Sequence, residues 1–160
     1  MATKDETFYW ERAMHPHMDK WYTQNGATID RSLSCRQFDV IVGDKRVEEK
    51  FLFSGREYTR LLVEIVQDLF SFNWGWYKDV DADVLCWCYC PTDRVSAPIS
   101  VYWVDYPMLK EYISVFLHEQ DRWMEMQICI QNFGVTVNLP ISWEVLVERQ
   151  IANRLVFGFR

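Results

Sequence analysis

The chain has 160 residues, 49% of them hydrophobic and 25% charged, with a formal net charge of −6. That composition excludes a disordered chain and supplies enough apolar surface for a real core. The acidic balance repels phosphate and anionic lipid, so it counts against nucleic-acid or membrane binding as the general role.

Residues 5–24 are rich in Phe, Tyr, Trp and Met, and Pro16 sits in the middle. The stretch predicts one or two short helical pieces, interrupted at Pro16 and packing through Phe8, Trp10 and Trp21. "NGATIDRS" then reads as loop. From residue 35 the pattern changes to period two. Phe38, Val40 and Val42 alternate, Gly43 to Lys45 form a turn, and Val47, Phe51 and Phe53 alternate again, which predicts a hairpin. Ser54 and Glu57 have capping-box spacing, and Tyr58, Leu61, Leu62, Ile65, Val66 and Leu69 form a stripe at helical intervals, so a helix is expected over 58–69.

After the loop "FNWGWYKDVDAD", strands are expected at 84–90 and 99–104. A helix opened by Pro107 follows, with Leu109, Tyr112, Ile113, Phe116 and Leu117 as its stripe. The order repeats with strands at 126–130 and 135–139. A helix then starts near Pro140 and Ser142, with Trp143, Leu146, Val147 and Ile151 on its inner face. "VFGFR" allows a last short strand. The whole of 1–160 is expected to be one α+β domain of two layers. Its single, mostly antiparallel sheet has about six strands backed by three helices, in three strand–strand–helix units after a helical N-terminal segment. This element order, with eight tryptophans, is similar to that of the cap-binding translation initiation factors, whose fold is a curved sheet backed by three helices. Their paired stacking tryptophans and acidic partner residue match no positions here.

"DVLCWCYC", residues 83–90, is the most unusual stretch. On a strand Cys86, Cys88 and Cys90 share one face, spaced roughly 6.6 Å apart along it. One zinc holding thiolates at about 2.3 Å needs them closer, so the cysteines read as small hydrophobes packed against the helices. Trp87 and Tyr89 then point the other way and are joined by Tyr102, while Val101 and Trp103 face inward. An exposed aromatic cluster on an open sheet face is a plausible partner platform. The alternative is that the N-terminal segment covers it and makes a second small core. A second candidate surface is the loop with Trp74, Trp76, Asp79, Asp81 and Asp83. The three aspartates resemble a calcium loop only at its start, because Val84 and Cys90 stand where Gly and Glu are needed. His15 and His17 are weak metal candidates, and no cofactor is expected. Glu48 and Glu49 read as solvated edge charges.

Five cysteines, an odd number, suit free thiols in a reducing cytoplasm, and no run reaches the roughly 20 apolar residues of a membrane span. No P-loop, GxSxG, GxGxxG or HExxH occurs. The first expectation is therefore a small cytoplasmic, non-enzymatic binding protein that occludes a protein partner with a basic surface, in the manner of an immunity protein or a viral or phage inhibitor. The alternatives are a nucleotide or single-stranded RNA binder using the aromatic face, and a metal- or thiol-dependent enzyme. An exposed antiparallel edge also allows a homodimer.

Overall fold

A computed structural model describes residues 4–34, 37–71, 73–119, 124–131 and 134–156. In chain order the elements are α1 (Lys4–Gln24), β1 (Ile29–Asp30), β2 (Val40–Val42), β3 (Lys45–Phe53), β4 (Arg60–Asp68), β5 (Asn73–Trp74), α2 (Trp76–Asp79), β6 (Val84–Cys90), β7 (Ser100–Asp105), α3 (Tyr106–His118), β8 (Gln127–Gln131), β9 (Gly134–Ser142), α4 (Trp143–Glu148) and β10 (Ala152–Val156). Cys35, one of the five cysteines, the side chain of Phe8 and residues 157–160 lie outside the described residues.

The fold is α+β, with a six-stranded sheet ordered β1-β2-β3-β6-β7-β10 and a second sheet ordered β5-β4-β9-β8. All pairs are antiparallel except β3 with β6, which run parallel from Val47↔Val84 to Phe53↔Cys90. The expected β2–β3 hairpin is present, turning through Gly43 at φ +64°, a left-handed conformation that glycine adopts without steric cost.

The expected helix at 58–69 is instead strand β4. Leu61, Val63 and Ile65 are buried and alternate with less buried neighbours. Leu62 on the outer face, and Val66, which a β-bulge after Glu64 turns back toward the core, produce the helical match. The β-branched Val63, Ile65 and Val66 and the period-two burial decide for the strand. Ser54 caps nothing: its hydroxyl reaches the Arg56 carbonyl, while Glu57 pairs with Arg154. With that helix gone, the element order no longer follows the cap-binding factors. At the N-terminus the two helical pieces are one helix. Met14, Met18 and Tyr22 bury one face at four-residue spacing, and Pro16 stays on the exposed side. The bond it forfeits belongs to the carbonyl of Arg12, an exposed residue. The last helix stops at Glu148, and Ile151 is buried beyond it.

Both faces of the six-stranded sheet are covered. On one, α1 lays Met14, Met18 and Tyr22 over Val40, Val47, Cys86, Cys88, Cys90 and Val101, with Trp103 alongside. The cysteines are packed as expected, but by α1. On the other face the second sheet, α3 and α4 bring Leu61, Val63, Leu139, Leu109 and Trp143 against Leu85, Tyr89, Tyr102 and Val104. The face expected to be open is therefore core. Tyr89 is 0% and Tyr102 4% exposed, Trp87 is half-buried, and the cover is the second sheet and helices rather than the N-terminal segment. Tyr102 stacks on Trp143 with ring centroids 3.8 Å apart, and Tyr89 meets both edge-on. The Trp143 indole N–H donates to the Tyr89 hydroxyl at 2.8 Å.

That bond sets a prediction. Tyr89→Phe keeps the ring but strands a buried indole donor, which costs about 1–3 kcal/mol. Urea unfolding should show the loss, and unchanged stability would contradict this account of the core.

Candidate functional site

β2 is three residues long and β3 nine, so on its β2 side β3 is unpaired after Val47. Asp39 meets the first of the freed amides, accepting from Glu49 N–H at 2.7 Å. Beyond it lies a cleft of about 550 Å³ between α1 and the second sheet. Because strand residues alternate, β3 feeds the cleft from both faces. Glu49 and Phe51 point toward α1, where Glu11, Arg12 and His15 line the opposite wall. Glu48 and Lys50 point toward Glu64 of β4, Trp74 of β5, and Trp76 and Asp79 of α2.

Gly75 brings α2 onto β4. Its N–H donates to the Ile65 carbonyl at 2.8 Å, and a Cβ there would stand 1.8 Å from the Glu64 carbonyl oxygen. Only glycine allows this approach, and it holds Trp76 half-buried against Trp87 and Tyr106.

Glu48 and Glu49 are buried, the reverse of the solvated edge charges expected. The Glu49 side chain has no exposed surface. It accepts from Arg31 Nη1 at 2.9 Å, Arg31 Nη2 at 3.2 Å and the Tyr22 hydroxyl at 2.9 Å, and Arg31 Nε donates onward to Asp19 at 2.8 Å. Burial pushes the Glu49 carboxyl up, while Arg31 and Tyr22 hold it down in part. Burial also raises Glu48, to about 7, with Lys50 opposing and Asp39 adding to the rise. The Lys50 ammonium is bonded to Glu48. Burial works against its charge, but Glu48, Asp39 and Glu11 together outweigh that and raise it. Burial likewise raises Glu11 and Glu64. His15 is pushed down, first by burial and then by Arg31, so it is neutral near pH 7 although its Nε2 lies 3.8 Å from Glu49.

Of the residues singled out from sequence, Trp74, Trp76 and Asp79 line this cleft. Asp81 and Asp83 do not. Both pair with the one guanidinium of Arg46 on β3, at 2.8 and 3.0 Å, which offsets one of their two charges. Tyr89 and Tyr102 sit in the core, and Trp87 packs half-buried against it. His15 and His17 are two apart on a helix and diverge; His17 bonds the Val95 carbonyl at 2.8 Å. Among the described residues no group of three His, Cys, Asp or Glu is placed to hold a metal ion. The thiols of Cys88 and Cys90 are pushed up by burial, Cys90 to about 12, which disfavours the nucleophilic thiolate. No helix among the described residues is long and apolar enough to cross a membrane. Comparison with family models, curated proteins and solved structures yields no match.

The raised carboxyls give stability a pH dependence. The folded state holds a proton on Glu48 that the unfolded chain releases near 4.5, so stability falls as pH rises from 4.5 to about 7. Glu48→Gln should flatten that fall in denaturant unfolding across the window. An unaltered slope would show that Glu48 titrates normally.

Proposed function

We propose that the protein is a small non-enzymatic binding protein that seats a cationic side chain of a protein partner in the β3 cleft and occludes the surface bearing it. One observation carries this reading. Six acidic side chains (Glu11, Asp39, Glu48, Glu49, Glu64 and Asp79) line one cleft with Trp74 and Trp76; Arg31 pairs with Glu49 and Lys50 with Glu48, which leaves Glu11, Asp39, Glu64 and Asp79 against Arg12. Such a cleft attracts an ammonium or guanidinium group and rejects anions.

The tryptophans add a second attraction, since a cation over an indole face gains about 0.5–2 kcal/mol. Both rings already carry cations. Lys78 Nζ lies 3.9 Å from the Trp74 ring centroid and Lys50 Nζ 5.8 Å from that of Trp76. Lys78 and Trp74 are exposed, so a partner arginine can displace Lys78 at little cost. Immunity proteins and viral or phage inhibitors are the functional class such an occluding surface fits. A nucleotide or RNA reading lacks support because its aromatic platform is core. A thiol-enzyme reading built on the cysteine strand lacks it because Cys86, Cys88 and Cys90 are all buried.

Titration with fluorescently labelled oligoarginine, oligolysine and oligoglutamate peptides tests the reading. The basic peptides should bind, more weakly as salt rises, and oligoglutamate should not. Trp74→Ala combined with Glu64→Gln should weaken binding at least about tenfold, which corresponds to 1.4 kcal/mol, with the fold intact by circular dichroism. Equal binding of all three peptides, or none at all, would overturn it.

A further inference from the structure

We infer that β8 pairs antiparallel with β8 of a second copy of this chain, across a two-fold axis at Cys129. Among the described residues β8 is an outer strand of its sheet, bonded to β9 on one side only. Its sequence, Gln127-Ile128-Cys129-Ile130-Gln131, reads the same in both directions. A two-fold axis through an antiparallel ladder sets each residue opposite the one equally far from the centre. Centred on Cys129, every position of β8 meets its own kind: Gln opposite Gln, Ile opposite Ile, Cys opposite Cys.

Charge selects this edge over the others. With a net charge of −6, two copies repel, and a two-fold axis sets like beside like. The outer strands β1 and β10 carry Asp30 and Arg154, and β5 is only two residues long. β8 has five residues and no charge, so self-pairing meets no repulsion along it. It also lacks the lysines or prolines that normally protect an edge strand.

The backbone phase fits as well. Leu69 N–H donates to the Val135 carbonyl at 2.8 Å, which turns the Val135 peptide groups toward β4. Those of the next residue, Thr136, therefore face β8, where Thr136 stands opposite Cys129 and its hydroxyl donates to the Cys129 carbonyl at 3.4 Å. Cys129 thus faces β9, and the N–H and C=O groups of Ile128 and Ile130 face the free edge. Two copies then exchange ladder bonds through Ile128 and Ile130. Their side chains, 66% and 87% exposed, pair across the new junction. Cys129 falls in a non-hydrogen-bonded pair with its counterpart, Cα atoms about 4.5 Å apart, within the separation a disulfide spans.

The test uses the full-length protein under reducing conditions. Light scattering after size exclusion should give twice the 19.3 kDa chain mass. Ile128→Lys and Ile130→Lys, each at an exposed position, should halve it while circular dichroism is unchanged. Diamide, which takes two electrons and two protons from a thiol pair, should then link wild-type chains, and mass spectrometry should place the bond at Cys129–Cys129. A monomer at micromolar concentration, a dimer that survives both lysine substitutions, or an oxidised dimer with Cys129 left free would each overturn the inference.

Discussion

The Glu49 carboxylate, without exposed surface, constrains much of the rest of the fold. An ionised carboxylate taken out of water needs a close counter-charge and hydrogen bonds to its remaining lone pairs. Arg31 supplies two bonds and Tyr22 a third. Those donors come from different places: Tyr22 from α1 and Arg31 from just after β1. One side chain on β3 therefore sets how α1 lies on the sheet and where the chain leaves β1. Asp19, also on α1, holds the far side of the same guanidinium, so the docking of α1 combines apolar contact through Met14 and Met18 with this charged clamp.

The cleft follows from the same arrangement. α1 is held against one face of β3, and Gly75 brings α2 against β4 near the other. The gap between them opens where β2 ends. Carboxylates that would be ordinary edge charges on a longer hairpin become partly desolvated walls. That is why Glu11, Glu48, Glu49 and Glu64 are all pushed up together, and why Lys50 is retained among them.

Much of this was legible in the sequence. Period-two alternation located β2, β3, β7, β8 and β9, and the stripe after Pro107 located α3. The stretch 60–68 was misleading because Leu62 is apolar on its outer face and a β-bulge after Glu64 returns Val66 to the inner one, so period-two and helical templates both match. In β6, "VLCWCYC" carries no polar residue. A half-covered strand alternates, whereas an unbroken apolar run marks a strand covered on both faces. That signal argued against an open aromatic platform, and the structure buries Tyr89 accordingly. The cleft was only half legible. Trp74, Trp76 and Asp79 could be picked out as unusual, but Glu48 and Glu49 looked solvated, and nothing singled out Lys50. Their burial depends on where β2 stops and on a helix packed from residues distant in sequence, and neither leaves a local pattern.

The most direct measurement is urea unfolding of Arg31→Met beside Arg31→Met with Glu49→Met. If Glu49 is the buried charge that fixes α1 to the sheet, the single substitution leaves it unpaired and costs about 3–5 kcal/mol. Removing both charges should recover most of that loss. A single substitution within about 0.5 kcal/mol of wild type, or a double variant no more stable than the single, would contradict the account.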